Sequence, residues 1–176
     1  MSRSMVRLHH GPRIFCGAKN ESRAAINVIC CREGQYESLK NYEIIEHTAD
    51  IGIKVKGRDL KELFKNAAAA MFDLIAERKD AKAVSLKKIK VEEDADDLEE
   101  LFVNWLNELL SLSATKELIF PAFEIKKLDE KSLKAIAIGE NINKYKVNTE
   151  IKAATYHALE IKKSGSAWQA QVIFDV

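Results

Sequence analysis

The sequence EHTADIGI, residues 46–53, is a polar stretch between two apolar alternations, and it decides how the chain begins to fold. Residues 42–45 form the first alternation. The apolar residues of the second are Ile51, Ile53 and Val55. Because alternation with period 2 is typical of half-buried strands, the polar stretch is predicted to lie where two short strands meet. It is either a turn, in which Thr48 and Asp50 bond nearby backbone groups, or a binding site.

Two helices are predicted beyond this junction. Asp59 is a typical N-cap with Glu62 three residues later, and apolar residues recur at helical spacing over residues 59–77. A strand that begins at Leu86 and ends in the acidic run at residues 92–94 precedes the second helix, whose apolar face extends to residue 112. The N-cap candidates of this helix are Asp94, Asp96 and Asp97. The helix dipole favours acidic residues at this end, so a metal role for them is the weaker alternative.

Strand patterns fill the chain beyond Pro121. The predicted strands are residues 123–128, 133–138, 151–161 and 168–176, and residues 141–148 are predicted to be a polar loop with Tyr145 exposed. Strands and helices do not alternate as βαβ units do. The predicted fold is therefore α+β, a mostly antiparallel β-sheet packed with two long α-helices in a single compact domain.

Charge is distributed unevenly along the 176 residues. Residues 1–41 carry a net charge of +4 and residues 42–176 a net charge of −3. Because nucleic-acid affinity depends mainly on neutralising phosphates, a slightly acidic domain is expected to act on RNA only indirectly. No apolar run of about 18 residues is present, so no membrane role is expected.

The three cysteines, Cys16, Cys30 and Cys31, all lie in residues 1–41. Without cysteines, residues 42–176 cannot contain a disulfide, which favours a reducing, cytoplasmic compartment. Residues 1–41 show no sustained period and are predicted to be a disordered or processed leader. A transit peptide and an upstream start codon remain alternatives.

Several motifs together resemble the archease family, small proteins that assist the GTP-dependent RNA ligase of tRNA splicing. They are EHTADIG at 46–52, DLE at 97–99, WLNELL at 105–110, GE at 139–140, IKAATYH at 151–157 and VIFDV at 172–176. The resemblance covers residues 42–176 and leaves residues 1–41 outside the family pattern.

The resemblance implies a divalent-cation site formed by Asp50, Asp175 and Val176, the last through its terminal carboxylate. Carboxylate oxygens suit hard cations, so calcium is expected, with magnesium or manganese as alternatives. From the residues alone, Asp50 could instead be a buried carboxylate capped by backbone amides. His47 and Thr48 could orient the ligands, although the residues favour a structural histidine at His47.

Two further motif residues are predicted to support the ligands or to face the partner. Glu140 closes a predicted strand, and Lys152 is expected to present its charge to the ligase or its nucleotide. Strand alternation over residues 152–157 would place Lys152, Ala154 and Tyr156 on one face. A lysine on a strand can also simply be solvated.

The resemblance implies an accessory protein without catalysis of its own. It would promote guanylylation of the tRNA-splicing RNA ligase and allow multiple turnover, with RNA contacted only through the ligase. One alternative is a metal-dependent phosphoester hydrolase that uses the same carboxylates to activate water. The other is a general chaperone that acts through exposed apolar surface. The oligomeric state stays open.

Overall fold

Two α-helices and nine β-strands make up the described part of the chain, which the computed structural model gives as residues 42–46, 50–79 and 85–176. The helices are α1 Leu60–Ile75 and α2 Leu98–Lys116. The strands are β1 Tyr42–Glu46, β2 Ile51–Gly57, β3 Ala76–Arg78, β4 Lys87–Asp94, β5 Leu118–Leu128, β6 Ser132–Asn141, β7 Tyr145–Val147, β8 Ala153–Ser164 and β9 Ala167–Asp175. The predicted leader, residues 1–41, lies outside the described residues.

The strands form three antiparallel sheets. A four-stranded sheet has the order β1-β2-β9-β8, a three-stranded sheet has the order β4-β6-β5, and β3 pairs with β7 in a two-stranded ribbon. Each helix contacts both larger sheets. The predicted α+β fold with mostly antiparallel strands and two long helices is confirmed.

Both helices begin at the aspartates that the sequence favours. Asp59 Oδ1 accepts a hydrogen bond from the backbone N–H of Glu62 at 2.8 Å, and Asp97 Oδ1 accepts one from that of Glu100, also at 2.8 Å. Each bond satisfies a backbone donor that has no partner inside the helix. The capping prediction is confirmed for α1, and Asp97 is the N-cap among the three candidates for α2.

Aromatic side chains join the two helices in the core. The rings of Phe64 on α1 and Phe102 on α2 meet edge to face, with 5.0 Å between their centroids. Trp105 is fully buried, and its Nε1 donates to the main-chain oxygen of Phe64 at 3.2 Å. Burying a large apolar side chain contributes about 2 kcal/mol or more to stability, so these contacts fix how the helices pack.

Two predictions for the residues around the β3–β7 ribbon are wrong. The first helix ends at Ile75 and not at residue 77, because the chain turns at once into β3. The predicted polar loop 141–148 contains β7, which pairs with β3. Tyr145, predicted to be exposed, is only 6% exposed because it lies on this pairing. Strands of three residues are too short to produce a recognisable period.

Strand β5 starts at Leu118, ahead of the predicted start at residue 123. Its register shifts between Ile119 and Ala122, around Pro121. Proline lacks a backbone N–H and is tolerated in sheets at such irregularities, so it does not end the strand here.

Strand β8 departs from the predicted alternation. Ala154 is 4% exposed, whereas Tyr156 is 58% exposed. The pairing with β9 shifts between Thr155 and Glu160, and Ala158 adopts a φ of 48°. A bulge inserts extra residues into one strand and changes which face the next side chain occupies. The regular alternation predicted for this strand therefore does not continue beyond Thr155.

Candidate functional site

The predicted metal ligands come from two neighbouring strands of the four-stranded sheet. Ile51, the first residue of β2, pairs with Phe174 of β9. Continuing this antiparallel register by one residue places Asp50 opposite Asp175. Cβ atoms of directly opposed residues lie about 5 Å apart on the same face of a sheet. Asp50 is half-buried and Asp175 is exposed, so solvent reaches both residues, and this register would bring their carboxylates close together.

Lys152 joins this site from β8, the other neighbour of β9. Its backbone N–H donates to the main-chain oxygen of Asp175 at 2.9 Å, and its Nζ donates to the main-chain oxygen of Val176, also at 2.9 Å. Lys152 therefore holds the main chain of two of the three predicted ligands. It also brings a positive charge to a place where the carboxylates of Asp50 and Asp175 would otherwise repel each other.

Asn107 secures the start of β8 from the neighbouring helix. Its Oδ1 accepts from the backbone N–H of Ala154 at 2.7 Å, and its Nδ2 donates to the Ala154 oxygen at 3.1 Å. A side-chain amide can satisfy both groups because it carries a donor and an acceptor. Asn107 lies within the motif at residues 105–110, but the sequence alone predicted no role for it. The available signal was a polar amide beside the apolar face of α2.

Glu140 occupies a different polar cluster. It is 4% exposed, forms an ion pair with Arg78 at 3.3 Å, and accepts a hydrogen bond from the Tyr145 hydroxyl at 3.1 Å. Burial raises the pKa of Tyr145, and the nearby charge of Glu140 raises it further. The described partners of Glu140 thus connect β6 to the two-stranded ribbon, and its predicted support of the metal ligands stays a prediction.

A sequence model of the Archease protein family matches residues 42–176. The chain belongs to the archease family.

The sequences of curated relatives match this chain over nearly their whole length. Protein archease of Methanosarcina acetivorans is 40% identical over 143 residues, which are 78% of this chain and 97% of the relative. Protein archease of Pyrococcus abyssi is 39% identical over 144 residues, which are 78% of this chain and 100% of the relative.

Solved structures share the fold. The solution structure of Methanobacterium thermoautotrophicum protein 1598 has a TM-score of 0.62 and 31% identity, covering 78% of this chain and all of that one. A crystal structure described as "an archease, possible chaperone" from Thermotoga maritima has a TM-score of 0.56 and 25% identity, covering 75% of this chain and 94% of that one.

In this archease, only some of the predicted site residues lie in the described part of the chain. His47 and Thr48 lie outside the described residues. In the described ranges no three His, Cys, Asp or Glu side chains are grouped so that they could hold a metal ion. Among the described residues, the family resemblance implies the terminal carboxylate of Val176 as the third ligand beside Asp50 and Asp175.

No helix in the described part of the chain is long and apolar enough to cross a membrane.

Proposed function

We propose that this archease is an accessory protein of the GTP-dependent tRNA-splicing RNA ligase, and that it promotes guanylylation of the ligase's active-site histidine. Family membership supports the proposal. The single observation that carries it is the pairing of Ile51 with Phe174, next to which Asp50 and Asp175 follow on the two strands, together with the hydrogen bond from Lys152 Nζ to the Val176 oxygen.

The proposed cofactor is a divalent cation, calcium first and magnesium or manganese as alternatives. Asp50, Asp175 and Val176 would hold it, and their oxygen atoms suit a hard cation. When bound, the cation supplies positive charge that can be aligned with the nucleotide phosphates of the ligase. Lys152 would keep the main-chain oxygen of Val176 in position through its hydrogen bond.

The ammonium of Lys152, next to the predicted ligands, favours an accessory role over hydrolysis. A hydrolase needs a general base close to the water that it activates. The ionisable group that contacts Val176 is the ammonium of Lys152, which donates hydrogen bonds and attracts anions. That chemistry fits the recognition of a phosphate or carboxylate on a partner better than it fits proton abstraction.

Single-turnover guanylylation of the purified ligase tests the proposal. The native chain should stimulate the reaction, Asp50→Ala should abolish stimulation, and Glu130→Ala, an exposed acid in the β5–β6 hairpin, should leave it unchanged. Circular dichroism would establish that each variant is folded. Full stimulation by folded Asp50→Ala would reject the cation site, and no stimulation by the native chain would reject the accessory role.

A general chaperone is the second candidate, because the Thermotoga maritima relative is described as a possible chaperone. A chaperone would suppress aggregation of an unfolded client equally well in calcium and in a chelator. Such suppression with fewer than one molecule of this chain per client molecule, without stimulation of the ligase, would favour this candidate.

A further inference from the structure

An apolar groove of about 350 Å³ opens on the surface where α2 meets the segment that leads into β8. Side chains from α1, α2, β5, the 3₁₀ turn after β6, β7 and the segment before β8 line it. Its apolar wall consists of Ile75, Leu110, Ile119, Ile142, Val147 and Ile151. This volume is close to the lower limit of ligand pockets, roughly 300 Å³, so the groove has room for a large side chain.

The polar groups in the wall already have partners. Ser113 Oγ donates to the main-chain oxygen of Leu118 at 2.6 Å, and the backbone N–H of Thr149 donates to that of Ile75 at 3.4 Å. Val147, by contrast, is an apolar residue that is 50% exposed. The groove therefore offers apolar contact area, and a ligand that covers Val147 would remove that area from water.

Two carboxylates stand at the rim. Glu117 and Glu150 line the groove and are exposed, and neither side chain forms an ion pair within the described ranges. An apolar groove with an acidic rim is complementary to an apolar side chain flanked by lysine or arginine. Charge complementarity therefore identifies the chemistry of the occupant.

The wall of the groove and the candidate site are adjacent along the chain. Ile151 belongs to its wall and is 7% exposed. The next residue, Lys152, bonds the main-chain oxygens of Asp175 and Val176. The segment that lines the groove is therefore the one that bonds two of the predicted ligands.

We propose that this groove is a docking surface for a protein segment that inserts one large aliphatic or aromatic side chain against Val147 and sets Lys or Arg against Glu117 and Glu150. The segment belongs to the ligase, so this inference rests on the proposed function. Docking here would fix the orientation in which Asp50 and Asp175 face the ligase's nucleotide.

The test is the dissociation constant between the purified ligase and each form of the full chain, measured by isothermal titration calorimetry. Val147→Asp should weaken binding at least tenfold, because it places a carboxylate against the inserted apolar side chain. Its matched control is Leu86→Asp, which alters an equally exposed apolar residue outside the groove and should bind as the native chain does.

A second pair of variants tests the rim. Glu150→Lys should weaken binding severalfold and reduce its dependence on salt, whereas Glu130→Lys, at the exposed β5–β6 hairpin, should do neither. Because Glu150 is exposed, this substitution is expected to leave the fold intact even if Val147→Asp does not fold.

The outcomes separate the two proposals. If the native chain binds the ligase and both groove variants bind equally well, the groove is not the docking surface, and the accessory role stands. If the native chain does not bind the ligase, the accessory role and this inference both fail. A dimer in sedimentation equilibrium that Val147→Asp dissociates would assign the groove to a second copy and overturn the inference.

Discussion

Lys152 is the residue of β8's leading segment that contacts the predicted ligands. Sequence reasoning expected it to present a charge to a partner, whereas its ammonium bonds the main-chain oxygen of Val176 within the chain. A cation at the proposed site would lie close to this ammonium. The lysine therefore both positions a ligand and opposes the arrival of a second positive charge.

We predict that Lys152→Met tightens calcium binding by about threefold to tenfold, because removing a nearby like charge lowers the electrostatic cost of binding the ion. Calorimetric titration with calcium measures this. Lys163→Met removes an exposed charge from the far end of β8 and should change little. Weaker binding by Lys152→Met would mean that its positioning of Val176 outweighs its charge.

Tyr145 gives a prediction about pH. Burial and Glu140 raise its pKa above the ordinary value of 10. Below pH 10 the phenol is neutral in both states, so its full contribution to stability is present. Above pH 10 the unfolded chain releases the proton first, and the free energy of unfolding falls by up to about 1.4 kcal/mol per pH unit until the folded pKa is reached.

Tyr145→Phe removes this titration. At neutral pH it should lower the free energy of unfolding by about 1 kcal/mol, through loss of the hydrogen bond to Glu140. As the pH rises above 10, the difference between native and variant should shrink, which urea unfolding at several pH values would measure. A constant difference across this range would show that the Tyr145 pKa is not raised.

At the level of elements, the contact between α2 and β8 positions the candidate site. Strand β8 is an edge of the four-stranded sheet, and the amide of Asn107 satisfies both backbone groups of Ala154. Ala154 lies two residues from Lys152. The helix thereby holds the edge strand at the point where it meets the predicted ligands.

We predict that Asn107→Asp lowers the free energy of unfolding by about 1–2 kcal/mol, because the carboxylate cannot donate to the Ala154 oxygen and leaves it without that bond. Hydrogen exchange at the start of β8 should also accelerate. Asn143→Asp, an exposed site in the 3₁₀ turn, is the matched control. Unchanged exchange at β8 in Asn107→Asp would contradict a positioning role for this amide.

For the molecule as a whole, the proposed cation should stabilise the fold. A ligand that binds only the folded state at 100 times its dissociation constant adds about 2.7 kcal/mol. We therefore predict that saturating calcium raises Tm by several degrees, and that Asp175→Asn removes most of this rise. Differential scanning calorimetry with calcium and with a chelator measures both, and Glu130→Gln should behave as the native chain. An equal rise in Asp175→Asn would remove that residue from the site.

Most of the architecture could be predicted because its signals are local. The alternation in β2, the helical spacing in α1 and α2, and the N-caps Asp59 and Asp97 each depend on residues close in sequence. The β3–β7 ribbon could not be found, because each strand has three residues and its partner is distant in sequence.

The candidate site was predictable only in part, because some of its contacts join residues that are distant in sequence. Family motifs identify Asp50 and Asp175, but the hydrogen bonds of Lys152 depend on the register between β8 and β9, which no local pattern specifies. The bulge after Thr155 shifts that register along the strand. The role of Asn107 was missed because its partners are backbone atoms of Ala154, and a polar amide beside the apolar face of α2 does not indicate which backbone atoms it contacts.

The position of β9 between β2 and β8 also has a consequence for synthesis on the ribosome. Ile51 and Phe174 pair across roughly 120 residues, and closing a loop of that length costs about 4 kcal/mol of chain entropy before any contact is made. The carboxylates of Asp50 and Asp175 can meet only after β9 has been translated. A nascent chain would therefore form its helices early, and a translation product that lacks β9 would be unable to form the proposed cation site.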